Sequence, residues 1–455
     1  MSRQFTTAIR GDFFDIAACV DHPQQIAEQL RHIPDGLMLL NEGRIVWHGS
    51  WRQGKTLPPP GFAVTDYRGK LIVPGFIDMH IHYPQTEMIA AYGEQLLEWL
   101  DNYTFPTESR FSCQQHASKI SAFFLQQLLS NGTTTALVFG TVHPQSVDVL
   151  FTQAAALNMR LIAGKVMMDR HAPPELLETP EQSYRQTRTL IERWHGKQRR
   201  SYAITPRFAP TSTPELLAQV QRLLEEFPDV YLQTHLSEDL EEVNWVKALF
   251  PDSHNYLDVY HSYGLTGSKS VFAHCLHLEE QEWDCLSQTQ SAIAFCPTSN
   301  LFLSSGLFNL QKAWQKQVKL GIGTDVGAGT TFNMLQTLGA AYKVSQLQRY
   351  RLSAGEAFYH ATLGGVHALS LDDKIGNFNV GKEADFVVLN QAVSPLQKLR
   401  CDNSNSLADQ LFMLMILGDD RNIYRTYVDG RVVYQVATTL TNNLSHKALR
   451  RRHIS

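Results

Sequence analysis

The chain has 455 residues, 43% of them hydrophobic and 18% charged, enough apolar mass for a large core in one big domain or two unequal ones. Forty Lys and Arg against 44 Asp and Glu leave a formal charge of -4, so no basic footprint for nucleic acid or an anionic membrane is expected. The six cysteines, Cys19, Cys113, Cys275, Cys285, Cys296 and Cys401, are dispersed without paired spacing. That distribution argues against a disulfide framework or a Cys-type zinc site and favours a reducing, cytosolic compartment.

Near the start, Arg10, Asp12 and Asp15 interrupt what would otherwise be an apolar signal core, and no window approaches the ~20 apolar residues of a membrane span. Neither export nor anchoring is expected. Residues 36–40 and 44–49 read as strands, and the Leu-Pro-Pro-Pro-Gly run at 57–61 reads as a surface turn. Eight short β-rich apolar segments follow, at 71–82, 133–141, 160–169, 202–210, 230–238, 270–278, 291–300 and 319–327. Helical patterns lie between them, among others at 118–129, 214–227 and 307–316. Strands alternating with helices imply a parallel sheet, and eight such units suggest closure into a (β/α)8 barrel of the TIM type, an open doubly wound sheet being the alternative. The insertion at 85–111 is long enough to cover a site at the barrel mouth, with 99–105 as a lid or a subunit contact. Towards the end, 385–389 and 424–434 read as extended segments, and the three arginines at 450–452 as a solvated tail.

Chemistry in such a barrel sits at the carboxyl ends of the strands. There the sequence places His80 and His82 on the first strand, His235 on the fifth, His274 on the sixth and Asp325 on the eighth. The i, i+2 spacing of His80 and His82 sends both imidazoles to one face of a strand, which alone is weak evidence; convergence of all five at one rim makes a shared cation the better reading. Imidazole nitrogen and carboxylate oxygen suit zinc, with iron as the alternative, and the expected direct ligands are His80, His82, His235 and Asp325. A water in the open position would lose a proton near neutral pH and act as the nucleophile, with His274 hydrogen-bonding it or the developing anion. Glu238, three residues past His235, is the best-placed proton shuttle, and Asp325 could take the first proton. Asp78 reads equally well as an orienting partner of a ligand imidazole or as a strand-end hydrogen-bond acceptor.

These residues resemble the amidohydrolase superfamily, and within it the guanine deaminase family. The resemblance rests on Pro-Gly-Phe-Ile-Asp-Met-His-Ile-His at 74–82, Asp325, and Ile375-Gly376 followed by Gly-Lys-Glu-Ala-Asp at 381–385. More specific are Leu-Glu-Trp-Leu-Asp-Asn-Tyr-Thr-Phe-Pro-Thr-Glu at 97–108 and Ile-Thr-Pro-Arg-Phe-Ala-Pro at 204–210. The resemblance implies one catalytic zinc per subunit, hydrolytic deamination of guanine to xanthine and ammonia, and a homodimer. It also implies that both chain ends fold into one small β-domain, giving 1–70 and 377–455 beside a barrel at 71–376. Substrate contacts carried over by position are Gln85, Arg207 and Phe208, beside His82, His235, Glu238 and Asp325. Read without the resemblance, Arg207 is more often a rim salt bridge and Phe208 a core ring, and the resemblance reverses that preference. The fourth strand carries no lysine that could bridge two metals, and Lys165, on the third, reads as structural.

Three functions therefore compete: a guanine aminohydrolase, a related metal hydrolase acting on another heterocycle such as an adenosine or a triazine, and a scaffold that keeps the fold without the chemistry. Gln85 and the Arg207-Phe208 pair favour the first, and the retained polar set with Glu238 argues against the third.

Overall fold

The computed structural model describes residues 5–92 and 95–436; the tri-arginine tail lies outside them. Eight parallel strands run in sequence order: β1 (Phe76–His82), β2 (Thr133–Phe139), β3 (Arg160–Gly164), β4 (Arg200–Pro206), β5 (Tyr231–Leu236), β6 (Ser270–His274), β7 (Ala292–Phe295) and β8 (Lys319–Ile322). β1 and β2 are buried at every residue, as strands covered on both faces must be, although Asp78, His80 and His82 in β1 and the three threonines that open β2 are polar. Helices such as Gln114–Ser130 and Pro214–Glu226 pack around them; the second starts on Thr213, whose hydroxyl accepts from the Leu216 amide, with Pro214 at the first helical position. The ring closes where β8 returns to β1: the Asp325 amide donates to the His80 carbonyl and the His82 amide to Val326, both at 2.8 Å.

Beside the barrel lies a seven-stranded mixed sheet whose order is Arg431–Gln435, Ile423–Val428, Phe386–Leu389, Val64–Pro74, Thr7–Ile16, Leu30–Asn41, Arg44–Ser50. The two ends of the chain thus share one sheet, with Val64–Pro74 antiparallel to Phe386–Leu389 and parallel to Thr7–Ile16.

Segment 160–169 is parted into β3 and a two-residue strand, Val166–Met167, that pairs with β4, and two further expected strands are drawn differently. Segment 71–82 is two strands in two sheets, Val64–Pro74 and β1, parted at Gly75. A Cβ on Gly75 would lie 2.0 Å from Thr134 Oγ1, so only glycine lets the chain pass from one sheet into the other at this crowded point. Segment 291–300 is strand only to Phe295; Pro297 then opens a short helix, Pro297–Phe302, its fixed φ suiting a first helical position. That change brings Ser299 and Asn300 to the rim of the site.

The Gly-Lys-Glu-Ala-Asp stretch at 381–385 joins the sheet to the amino-terminal end of the barrel. Glu383 Oε2 lies 2.6 Å from Arg160 Nη2 and 2.9 Å from Arg199 Nη2, and Asp385 pairs with Arg199 while accepting from the Asp429 amide at 2.8 Å. All four side chains are nearly fully buried. Removing one carboxylate would leave guanidinium charge uncompensated in a poorly solvated place. Glu383→Ala should therefore cost about 3 kcal/mol of unfolding free energy in urea titrations while the bound-metal content stays unchanged; a loss below about 0.5 kcal/mol would mean that the latch is only a surface pair.

Candidate metal centre and the pocket above it

All nine residues expected at the site meet at the carboxyl end of the barrel. His80 and His82 project from the end of β1, and His235 from β5. At three strand ends the backbone turns through the left-handed region: Ser237 at φ 50°, His274 at φ 72° and Asp325 at φ 52°. Such values cost roughly 1–2 kcal/mol per non-glycine residue, and here they re-aim Glu238, His274 and Asp325 toward the barrel axis.

The donor atoms crowd together. His82 Nε2 is 3.2 Å from both His80 Nε2 and His235 Nε2, and Asp325 Oδ1 lies 3.2 Å from His80 Nε2 and 3.4 Å from His82 Nε2. Ligands about 2.0–2.1 Å from a tetrahedral zinc sit roughly 3.3 Å from one another. Protonation cannot relieve the crowding. Burial is the largest influence on each imidazole and disfavours its cation, taking His80 down to about 3 and His82 and His235 well below the usual histidine range. His235 Nδ1 donates to the Arg207 carbonyl at 2.7 Å, so its Nε2 presents a bare lone pair to the cluster. Neutral nitrogen lone pairs and a carboxylate facing each other in a dry site fit a divalent cation between them. The ring of Phe139, at the end of β2, packs against His80, His82 and His235 at centroid distances of 5.0, 4.5 and 4.8 Å and keeps water off that side.

Around this centre stand further titratable groups. His274 Nδ1 accepts from the Asn300 amide at 2.8 Å, which leaves the ring proton on Nε2. That Nε2 is buried with no hydrogen-bond partner among the described residues, 3.4 Å from Glu238 Oε2 and 3.8 Å from Asp325 Oδ2. Burial first, then the charges of Asp325, Glu242 and Asp239, hold the Glu238 carboxyl well above the ordinary glutamate range. Asp325 is also raised by burial, against the pull of His274 and a Ser299 hydrogen bond. Asp78 proves to be the strand-end acceptor of its two readings: it takes the Thr324 amide at 3.0 Å, the Thr324 hydroxyl at 2.5 Å and the His80 amide at 3.3 Å, tying β1 to β8. Burial pushes its carboxyl up to about 7. Lys165 stays away from the centre, paired with Glu178 and donating to the Val166 carbonyl at 3.1 Å.

A pocket opens directly above. It is lined by His82, His235, Glu238 and Asp325, by Gln85, Arg207 and Phe208, and by Leu96, Trp99 and Leu100 from the 85–111 insertion. Three contributors escaped the sequence reading. Cys296 groups with His80, His274 and Asp325 as a set able to hold a metal ion, yet burial and the Asp325, Asp78 and Glu238 charges keep its thiol protonated and a poorer donor than imidazole. Asn300 was assigned to a strand. Glu108, inside the quoted 97–108 stretch, bonds both Gln85 and Arg207.

A closed parallel barrel whose strand ends gather three imidazoles, a carboxylate and a raised glutamic acid beside a small pocket of mixed polar and apolar lining defines a metal-dependent hydrolase. Residues 71–433 match the model of the amidohydrolase family, and the chain belongs to that family. Among curated relatives, the guanine deaminase of Escherichia coli (strain K12) is 66% identical over 428 residues, covering 94% of this chain and 98% of that protein. The solved structure of E. coli guanine deaminase superposes with a TM-score of 0.92 at 64% identity, covering 94% of this chain and 99% of that one. A guanine deaminase from C. acetobutylicum solved with bound guanine gives a TM-score of 0.85 at 29% identity, covering 94% and 100%.

Stripping an ion held at ~1,000 times its Kd removes about 4 kcal/mol of apparent stability. Calorimetry before chelation, after it and after zinc is returned should therefore show a lowered and then restored unfolding midpoint; an unmoved midpoint would leave the cluster without a cation to hold.

Proposed function

We propose that this chain hydrolyses guanine to xanthine and ammonia. The observation that carries the proposal is the meeting in one pocket of two chemically opposite sets: acceptors and proton carriers at His82, His235, Glu238 and Asp325, and amide and guanidinium donors at Gln85 and Arg207. Guanine has that polarity, with a carbon bearing an amine on one side of the ring and a carbonyl acceptor on the other. The relatedness to guanine deaminases over nearly the whole chain supports the same substrate.

The residues proposed to hold the cation are His80, His82, His235 and Asp325, one ion per subunit, with zinc favoured by the nitrogen-rich set and iron as the alternative. When bound, such an ion supplies the Lewis acidity that makes a water nucleophilic at neutral pH. In the proposed sequence Asp325 accepts the water's first proton. Glu238, its carboxyl raised by burial, protonates a ring nitrogen next to the attacked carbon, takes up the proton of the hydroxyl added there and delivers it to the departing amine, while the proton held by Asp325 restores the acid, so that little charge accumulates. The unpartnered Nε2 proton of His274 donates to the oxygen that becomes the new carbonyl. Gln85 and Arg207 hold the substrate's polar edge, Phe208 supports the ring, and the cover of Leu96, Trp99 and Leu100 limits water.

No helix among the described residues is long and apolar enough to cross a membrane. We place the enzyme in the cytosol, supported by its six free cysteines, and propose a homodimer on the family resemblance alone.

Metal-loaded protein incubated separately with guanine, adenine, cytosine and a triazine should release ammonia fastest from guanine; preference for another base would refute the assignment. Glu238→Gln should retain its metal and lose about 10²–10⁴-fold in turnover, the range of a general acid–base contribution. Normal turnover by a loaded variant would remove Glu238 from the proton path.

A further inference from the structure

Behind the substrate end of the pocket stands a carboxylate that none of the chemistry above uses. Glu108 is fully buried, on the helical insertion between β1 and β2, and forms no part of the pocket lining. Its Oε1 and Oε2 lie 3.0 and 2.8 Å from Arg207 Nη1, and Oε1 accepts from Gln85 Nε2 at 3.0 Å. The other half of the Gln85 amide is also committed, because its Oε1 accepts from the Gly327 amide at 3.2 Å. Turning that amide over would set its oxygen against a carboxylate and its NH2 against an N–H, so its orientation is fixed. The guanidinium is flanked on the same side by the Phe105 ring, 5.5 Å from Cζ to centroid.

We propose that Glu108 is a positioning residue which sets selectivity for a six-position carbonyl by aiming the remaining donors of Arg207 and Gln85 into the pocket. The inference rests on the guanine reading of the site. Arg207 commits only Nη1 to Glu108; among the described residues its Nε and Nη2 have no hydrogen-bond partner within the chain. A planar guanidinium held at one corner presents its other N–H groups in a fixed fork, and such a fork accepts only an acceptor. A purine carrying a carbonyl there closes the arrangement. A purine carrying an amine there sets donor against donor, and one carrying only hydrogen leaves buried donors unmet, which is how a polar site rejects analogues. Without Glu108 the same guanidinium would swing toward whatever acceptor lay nearest, including Glu238 and Asp325 across the pocket.

Glu108→Gln keeps the shape and removes the charge. Relative to the parent enzyme, kcat/KM for guanine should fall roughly 10- to 100-fold, the worth of a charge-assisted hydrogen bond, with most of the change in KM. The inhibition constant of 2-aminopurine, which has the ring and the amine but no six-position carbonyl, should move by less than about 3-fold over the same substitution, because the analogue cannot use the aimed donors. Glu108→Asp, which retains the charge, should recover part of the guanine loss. Equal losses for both ligands, or an unaltered guanine value, would overturn the proposal, since a merely structural glutamate weakens every ligand alike. Should Glu108→Gln prove unstable through its uncompensated guanidinium, the pair Arg207→Gln and Glu108→Gln/Arg207→Gln decides: guanine kcat/KM no lower in the double variant than in the single supports action through Arg207, and additive losses refute it. Parent enzyme that releases no ammonia from guanine refutes the substrate reading itself, whereas parent turnover with parallel variant losses refutes Glu108 alone.

Discussion

The constraint on which the site depends is the enforced neutrality of three imidazoles. In water His80, His82 and His235 could relieve their mutual crowding by taking up protons. Buried as they are, each finds its cationic form disfavoured, and the bond from His235 Nδ1 to the Arg207 carbonyl fixes where that ring's one proton must sit. What remains is a nest of lone pairs 3.2 Å apart beside a carboxylate, which a small divalent ion satisfies and a proton does not. The ring of Phe139 and the depth of the barrel mouth maintain the dryness on which this depends.

Holding that arrangement requires a backbone that does not relax, and the barrel supplies it through closure. β1 and β8 are the strands farthest apart in sequence and also the pair whose joint carries His80, His82 and Asp325. Asp78 spans the joint with three hydrogen bonds to Thr324 and His80, so the group that ties β1 to β8 lies two residues from His80. The left-handed turns at Ser237, His274 and Asp325 are tolerated because the strands on either side are already fixed.

Much of this was legible in the chain because the signals are local. An i, i+2 histidine pair on an apolar run, single histidines and an aspartate at the ends of later runs, and eight strand-helix alternations each need only a few neighbouring residues to be read. The errors arose where a local pattern has two meanings. Residues 71–82 read as one β-rich stretch, yet Gly75 divides it between two sheets, where the Thr134 side chain crowds against that glycine. Pro297 ends β7 early, and the helix it opens is what carries Asn300 to His274. Glu108 was hidden for another reason: its partners are 23 and 99 residues away, and a carboxylate in a helical stretch ordinarily reads as a solvated charge.

Those long-range contacts change how the pocket should be understood. The imidazole cluster and the pocket's donors are joined through a single residue, because the Arg207 carbonyl fixes His235 while the Arg207 side chain, paired with Glu108, lines the pocket. A shift of the β4 end that moved the guanidinium would also move the carbonyl on which the His235 tautomer depends. The placement of the guanidinium in the pocket and the tautomer of His235 are in this way tied to one stretch of backbone, Arg207-Phe208.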